Sequence, residues 1–167
     1  MPGVVNAVLI RDAATSDIAM VRRLFEAYAA SLDVDLCFQG FAGELAGLPG
    51  DYAPPRGALL VAMQDRETVG CVALRPLASD DDDAMVGEVK RLYVVPQARG
   101  AHAGLALMQA LLERARAVGY DALKLDTLAT MTSARALYAS LGFRECAAYY
   151  RNPLPGVTYM SLRLKNS

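Results

Sequence analysis

The chain has 167 residues, of which 54% are hydrophobic and 21% charged, and its formal net charge is −1. This composition excludes a disordered chain, and the length predicts one domain over residues 1–167 with its own core. The balanced charge gives no basic stripe for nucleic acid, and no apolar run reaches the roughly 18 residues that a membrane span needs. The N-terminus lacks the pattern of a signal peptide, which predicts a cytoplasmic protein.

Cysteine and histidine are scarce in the chain. Cys37, Cys71 and Cys146 have no CxxC spacing, so we expect free thiols rather than a disulfide framework or a zinc site. His102 is the single histidine, which excludes a metal site built from several histidines. We therefore expect no metal.

The first half of the chain begins with a predicted strand at Ala7–Arg11 and a helix that starts near Thr15–Asp17. Apolar residues then recur along one helical face, at Ile18, Val21, Phe25, Tyr28 and Leu32. Residues 33–56 are broken by glycine and proline, and Phe41–Leu48 is a candidate second helix. A hairpin of Ala58–Met63 and Val69–Leu74 follows. Four successive aspartates, Asp80–Asp83, predict an exposed connection.

The second half of the chain alternates strands with helices. The predicted elements are, in order, strand Met85–Val95, helix Ala103–Val118, strand Ala122–Leu128, helix Ser133–Leu141, and strands Phe143–Ala148 and Val157–Leu164. Some strands are joined as hairpins and others by crossover helices. This order predicts an α/β (α+β) fold, in which helices cover both faces of a mixed sheet.

The turn after Met85–Val95 carries the clearest sign of ligand binding. Pro96 ends the strand, and small residues between Gly100 and Gly104 open the next helix. Small residues let a backbone approach a ligand closely, and the free N–H groups at a helix start favour anions. Arg99 adds a charge that suits a phosphate. The turn therefore predicts a pyrophosphate site, although neither GxxxxGK[ST] nor GxGxxG is present.

Two spaced motifs resemble those of the GNAT acetyltransferases. Val94-x-Pro96-x-x-Arg99-Gly100-x-x-x-Gly104 resembles the family's acetyl-CoA-binding motif, and Ala134-x-x-Leu137-Tyr138-x-x-x-Gly142-Phe143 resembles its next motif. The resemblance covers nearly the whole chain and is weakest over residues 33–56. It implies the GNAT fold, with a mostly antiparallel sheet of about seven strands, and an N-acetyltransferase that uses acetyl-CoA in a ternary complex.

The resemblance also implies how the cofactor binds. The backbone of Leu92, Tyr93 and Val94 would pair with the pantetheine arm, and the pyrophosphate would be held by Arg99, Gly100, Ala101, His102, Ala103, Gly104 and Leu105. A bulge near Val94 and Val95 would splay this strand from Ala122–Leu128, and an N–H there would stabilise the oxyanion. His102 replaces a family glycine and Met131 a family asparagine, so a positive φ at His102 would be strained.

The resemblance assigns one catalytic residue, and the residues themselves add two candidates. Tyr138 matches the family's general acid, although it could instead only pack on its helix face. Glu88 and Asp126 are the candidate general bases, because carboxylates inside a sheet are uncommon. The alternatives are an ion pair of Glu88 with Lys90 or Arg91, a hydrogen bond of Asp126 to loop backbone, ordered water as the base, and His102 as the base.

The sequence predicts the acceptor less specifically than it predicts the cofactor. Tyr149 and Tyr150 lie in a loop that can reach the acceptor side of this fold, although they could instead pack at an edge or a dimer interface. We expect a small-molecule amine or an amino acid as the acceptor, and the family makes a homodimer possible. The alternatives are a protein N-terminus or lysine as acceptor, an acyl-CoA-binding module without catalysis, and another nucleotide-binding α/β protein.

Overall fold

A computed structural model describes residues 7–32, 34–79 and 84–165, and the acidic connection predicted at Asp80–Asp83 lies outside them. The described residues form one seven-stranded sheet in the order β1-β2-β3-β4-β5-β7-β6. The strands are β1 Leu9–Asp12, β2 Ala58–Gln64, β3 Glu67–Leu77, β4 Val86–Val94, β5 Ala122–Leu128, β6 Arg144–Glu145 and β7 Val157–Arg163. Only β4 and β5 run parallel, so the predicted mixed, mostly antiparallel sheet is confirmed.

Helices occupy the connections between these strands. The described α-helices are α1 Ile18–Leu32, α2 Phe41–Ala46, α3 Ala103–Val118 and α4 Thr132–Ser140. Single 3₁₀ turns lie at Thr15–Asp17, Cys37–Gln39, Gly50–Tyr52 and Pro96–Ala98. The predicted bounds of α3 and β5 are confirmed to the residue.

The helices cover both faces of the sheet, as predicted. Val61 of β2 packs in a buried cluster with Phe25 of α1, whereas its neighbour Leu60 packs in a second cluster with Leu107 of α3. Successive side chains of a strand point to opposite faces. A strand buried on both faces has a continuous run of apolar residues, which explains the composition of Ala58–Met63.

The chain after α4 departs from the sequence prediction. A strand is predicted over Phe143–Ala148, but only Arg144–Glu145 forms β6 and pairs with β7. The N–H of Cys146 still donates to the carbonyl of Tyr159 at 2.9 Å. Beyond it the chain leaves the sheet, because the two tyrosines that follow hydrogen-bond side chains of β4 and β5 instead of continuing the ladder.

Three features of the described residues concern metals, membranes and thiols. No helix within residues 7–32, 34–79 and 84–165 has the length and apolar character needed to cross a membrane. The same residues contain no group of three or more His, Cys, Asp or Glu side chains placed to bind a metal ion. Cys37, Cys71 and Cys146 are free thiols as predicted, and burial raises the pKa of Cys71 to about 12.

Candidate active site

Strands β4 and β5 run side by side briefly and then part. Val86–Glu88 pairs with Ala122–Lys124, and no further pairing joins the two strands in the described part of the chain. Beyond Glu88, the edge of β4 that faces β5 therefore has no strand beside it. Apart from the Val94 carbonyl, which accepts from Arg99 Nε, the described backbone groups of this edge can receive an extended ligand in the way that a sheet edge receives an added strand. The predicted splaying of the two strands is confirmed.

A bulge in β4 lies at this parting. The register between β3 and β4 shifts by one residue at Arg91 and Leu92, and Arg91 has a φ of +63°. The bulge predicted near Val94 and Val95 is wrong, because pairing has resumed there: the N–H of Val95 donates to the carbonyl of Val69 at 2.9 Å. A bulge bends its strand and re-aims the neighbouring side chains.

A cleft of about 480 Å³ opens between the free edge of β4 and the starts of α3 and α4. Most residues predicted to bind the cofactor lie on its wall, namely Leu92, Tyr93, Val94, Arg99, Gly100, His102, Ala103 and Gly104. Ala101 and Leu105 belong to the same turn and helix start, but not to this wall. The described wall contains Arg99 and His102 but no aspartate or glutamate, so the cleft favours an anionic ligand.

The start of α3 faces this cleft. His102 caps the helix in the left-handed conformation, with φ +60° and ψ +25°, and its side chain is exposed. Gly100, two residues earlier, has a φ of +98°. The first N–H groups of a helix have no partner within the helix, and with the helix dipole they favour negative charge. The strained φ predicted for His102 is therefore present, and the turn still forms.

Arg99 is held over the wall of the cleft by two contacts. Its Nε donates to the carbonyl of Val94 at 3.0 Å, and its guanidinium lies 5.8 Å from the centre of the Tyr93 ring. The charge therefore lies above the free edge of β4, where a phosphate could approach it.

A smaller inner cavity of about 30 Å³ adjoins the cleft. Tyr28, Leu32, Leu92 and Met131 line both spaces. The polar residues that also line the inner cavity are Gln39, Lys90, Arg91, Asp126, Thr127, Tyr138 and Asn152. An apolar collar thus separates an anion-favouring cleft from a polar cavity.

Asp126 is the carboxylate on the wall of this inner cavity. It accepts a short hydrogen bond from the Tyr150 hydroxyl and another from Asn152 Nδ2 at 2.9 Å. These donors fix the carboxylate, whose other oxygen has no hydrogen bond to a described residue. Asp126 can therefore accept a proton or a cation from a molecule in the cavity.

Glu88 has a different environment. It is 1% exposed and is not among the residues that line the cleft or the inner cavity. Its Oε1 accepts from Arg75 Nε at 2.8 Å, and its Oε2 accepts from the Tyr149 hydroxyl at 2.6 Å. The ion pair considered from the sequence, with Lys90 or Arg91, is wrong; the partner is Arg75, which lies directly opposite on β3.

Tyr138 reaches the inner cavity from α4. Its residue is 5% exposed, and its ring packs 5.8 Å from that of Phe143. The hydroxyl makes no hydrogen bond to any residue that the structure describes. Burial raises the pKa of this hydroxyl, so it is protonated at neutral pH and able to donate.

Comparison with known proteins places this geometry in a family. A model of the Acetyltransferase (GNAT) family matches residues 23–143. The chain belongs to the GNAT family of acetyltransferases. It is 38% identical over 149 residues to an uncharacterized N-acetyltransferase of Schizosaccharomyces pombe, with 89% of each chain covered. It is also 38% identical over 93 residues to the IAA acetyltransferase of Azospirillum brasilense, covering 56% of this chain and 58% of that one.

Solved structures of the GNAT family share the fold. An acetyltransferase of Staphylococcus aureus superposes with a TM-score of 0.77 at 19% identity, covering 95% of this chain and 100% of that one. YncA of Salmonella typhimurium, whose structure contains acetyl-CoA as its cofactor, superposes with a TM-score of 0.73 at 22% identity, covering 97% of this chain and 96% of that one. The family uses acetyl-CoA as its acetyl donor.

Each of the two tyrosines predicted to bind the acceptor hydrogen-bonds one of the two candidate carboxylates of this GNAT site. Tyr149 donates to Glu88, and Tyr150 donates to Asp126. Their rings form a cluster with Tyr159, with centroids 5.3 to 5.9 Å apart. The cluster fixes the loop against β4 and β5; contact of either tyrosine with an acceptor stays a prediction.

Several residues of the GNAT site were not predicted from the sequence. Lys90 lines the inner cavity, and burial lowers its pKa to about 8. Arg91 makes a two-fold ion pair with Glu44, with both N···O distances 2.9 Å. Lys90, like Glu88, is a charged residue on a strand inside the sheet, so the same signal marks it in the sequence. No local signal marks Glu44, which comes from the irregular segment 33–56.

The left-handed cap gives a prediction for stability. Replacing His102 with glycine should stabilise the fold by about 0.5–1 kcal/mol. The gain arises because a left-handed φ costs a residue with a Cβ about 1–2 kcal/mol, and the greater freedom of unfolded glycine takes back about 0.5–1 kcal/mol. Urea unfolding of the two proteins measures the difference. His102→Ala keeps the Cβ and is the control; equal midpoints for the glycine and alanine variants would contradict the expectation.

Proposed function

We propose that this enzyme transfers the acetyl group of acetyl-CoA to the primary amine of a small molecule, by direct attack in a ternary complex. The observation that carries the proposal is the position of the free edge of β4, between an anion-favouring cleft and a cavity that contains a carboxylate and a phenol. We take residues 1–167 as one catalytic domain.

The cleft has the volume of a ligand site and a charge that suits acetyl-CoA. A volume of about 480 Å³ lies within the range of about 300–1,000 Å³ that ligand sites occupy. We place the pyrophosphate at the start of α3, where Gly100 and His102 expose backbone N–H groups, with Arg99 beside them. The pantetheine arm then lies along the free edge of β4 from Val94 to Leu92, and the thioester reaches the apolar collar.

The acceptor amine attacks from the inner cavity. Asp126 takes one proton from the amine, and the nitrogen forms a bond to the acetyl carbon. A backbone N–H at the bulge stabilises the oxyanion as it develops. The bond from carbon to sulfur then breaks, and the Tyr138 hydroxyl gives its proton to the thiolate. The acceptor enters as an ammonium, so its nitrogen loses a second proton after attack, and this proton restores the Tyr138 hydroxyl. Asp126 releases the first proton to solvent, and the net result is one amide, one free thiol and one proton passed to solvent.

The surroundings of the two carboxylates favour Asp126 over Glu88 as the base. Asp126 lines the cavity and has an oxygen without a described hydrogen bond, whereas both Glu88 oxygens are bound by Arg75 and Tyr149. A general base must lie within hydrogen-bond reach of the proton that it removes. We assign Glu88 a positioning role, because it holds Tyr149 and through it the loop that walls the acceptor side.

Tyr138→Phe should lower kcat by about 10²-fold, the lower end of the range for general acid–base catalysis. The effect is expected at that end because a thiol with a pKa of about 8.5 is already a good leaving group near neutral pH. Thiol release from acetyl-CoA measures the rate. The KM for acetyl-CoA should change little, since the phenol contributes at the transition state. A kcat equal to that of the wild type would remove Tyr138 as the acid.

The proposal as a whole is tested by binding and turnover together. Acetyl-CoA at about 100 times its Kd should stabilise the fold by about 2.7 kcal/mol, whereas ATP and NAD at the same concentration should not. Thiol release should then appear with at least one member of a panel of primary amines. Protection by acetyl-CoA without release for any amine would favour an acyl-CoA-binding module. Protection by ATP or NAD instead would overturn the assignment of the cleft.

A further inference from the structure

Lys90 is a buried cation without a counter-ion in the described structure. It is 6% exposed and lies on the wall of the inner cavity. Its Nζ donates one long hydrogen bond, of 3.3 Å, to Oε1 of Gln39, and no described carboxylate lies within ion-pairing distance of it. An ammonium carries three donors, so most of its hydrogen-bonding capacity is unused.

A buried ammonium at Lys90 destabilises the folded protein unless an anion pairs with it. Burial without a paired anion destabilises a charged group, and here burial, together with the nearby charge of Arg91, lowers the pKa of Lys90 to about 8. At neutral pH the side chain is still mostly protonated. An anion that entered the cavity would complete the pairing that the described protein does not supply.

Asp126, which carries the opposite charge, lines the same cavity as Lys90. Gln39 connects the two, because its Oε1 accepts from Lys90 and its Nε2 donates to the Tyr150 hydroxyl at 3.0 Å. Tyr150 in turn donates to Asp126. A cation and an anion therefore lie at the two ends of one short hydrogen-bonded chain, and both face the space that the acceptor amine must enter.

We propose that the acceptor is a small amino carboxylate, whose ammonium group binds Asp126 and whose carboxylate binds Lys90. The proposal rests on the function proposed above, since it names the class of acceptor for the same site. The cavity is small, at about 30 Å³. This space favours a compact acceptor, in which few bonds separate the two charged groups.

Lys90 has an alternative role as the general base, which the structure favours less. A neutral Lys90 could remove the proton from the amine. The largely protonated state at neutral pH and the presence of Asp126 argue against this role. The two roles differ in their kinetics: a carboxylate-binding lysine affects KM for acids alone, whereas a base affects kcat for every acceptor.

The experiment compares acids with matched amides. Thiol release from acetyl-CoA is measured with the twenty L-amino acids, β-alanine and γ-aminobutyrate, each beside its carboxamide. We expect the best acid to exceed its amide in kcat/KM by about 10- to 100-fold, the usual effect of a hydrogen bond to a charged group. Lys90→Met should raise KM for that acid by a similar factor and leave the amide unchanged. Lys165→Met, at a half-exposed lysine far from the cavity, is the control.

Each outcome decides between the two proposals. Acids no better than their amides in the wild-type enzyme would overturn the amino-carboxylate assignment, while turnover of the amides would keep the proposed function. An equal loss of kcat for acids and amides in Lys90→Met would overturn it in favour of the base. Acetyl-CoA binding with no turnover of either the acids or the amides would overturn the amino-carboxylate assignment, and the panel of primary amines would then decide the proposed function. The wild-type comparison needs no variant, so it stands even if Lys90→Met fails to fold.

Discussion

Asp126→Asn should lower kcat/KM for acetyl transfer by about 10²- to 10⁴-fold, the contribution typical of a general base. The amide keeps the shape of the carboxylate and can keep accepting from Tyr150 and Asn152, so the loss reflects the missing basicity. Binding of acetyl-CoA should be unchanged, because Asp126 lies beyond the collar in the inner cavity. Thiol release and calorimetric titration with acetyl-CoA give the two quantities.

Two further carboxylates give this prediction its controls. Glu145→Gln changes an exposed residue of β6 and should leave both rate and binding at wild-type values. Glu88→Gln should have a smaller effect on the rate than Asp126→Asn, since Glu88 is already bound by Arg75 and Tyr149. If Glu88→Gln lowered the rate more than Asp126→Asn did, the roles of the two residues would be reversed.

Glu44→Gln should destabilise the fold by about 3–5 kcal/mol, the usual result of removing one partner from a buried ion pair. The Arg91 side chain is 2% exposed and that of Glu44 11%, so Arg91 would be left as a buried charge. Its guanidinium also lies between the rings of Tyr28 and Phe41, at 5.6 and 5.1 Å. These rings hold it in place and prevent it from turning toward water.

The control for the loss of stability in Glu44→Gln is an ion pair on the surface. Asp12 and Arg114 interact at 2.5 Å with 57% and 38% of their side chains exposed. Asp12→Asn should therefore cost only about 0–1 kcal/mol. Urea unfolding with a common m-value measures both variants. A Glu44→Gln variant as stable as Asp12→Asn would mean that Arg91 finds water or another partner when Glu44 is gone.

The cleft proposed to bind acetyl-CoA could be predicted from the sequence because its signals are local. Pro96 follows the predicted strand Met85–Val95, Gly119 ends α3 with a φ of +102°, and the turn Gly100–Gly104 lies between them. The turn, the helix and the next strand are therefore recognisable within one stretch of sequence. Most of the predicted phosphate-binding residues lie together on the cleft for the same reason.

The acceptor side could not be predicted in the same way, because its partners are distant in sequence. Glu44 meets Arg91 across 47 positions, and Gln39 meets Tyr150 across 111. Both Glu44 and Gln39 come from a segment without clear periodicity. The partner of Glu88 depends on the register of a hairpin, which places Arg75 directly opposite it. A cross-strand neighbour is closer than a residue two positions along the same strand.

The short contact between β4 and β5 divides the sheet into two blocks, β1–β4 and β5–β7. Three residue pairs join them directly, and α3 carries the chain from one block to the other. The side chains of both blocks nevertheless pack in one buried cluster, in which Leu74 and Val89 lie with Leu125 and Met160. An acyl-CoA lying along β4 would add hydrogen bonds and apolar contacts across this seam. Substrate would then act as a missing strand, and its binding would raise the free energy of unfolding.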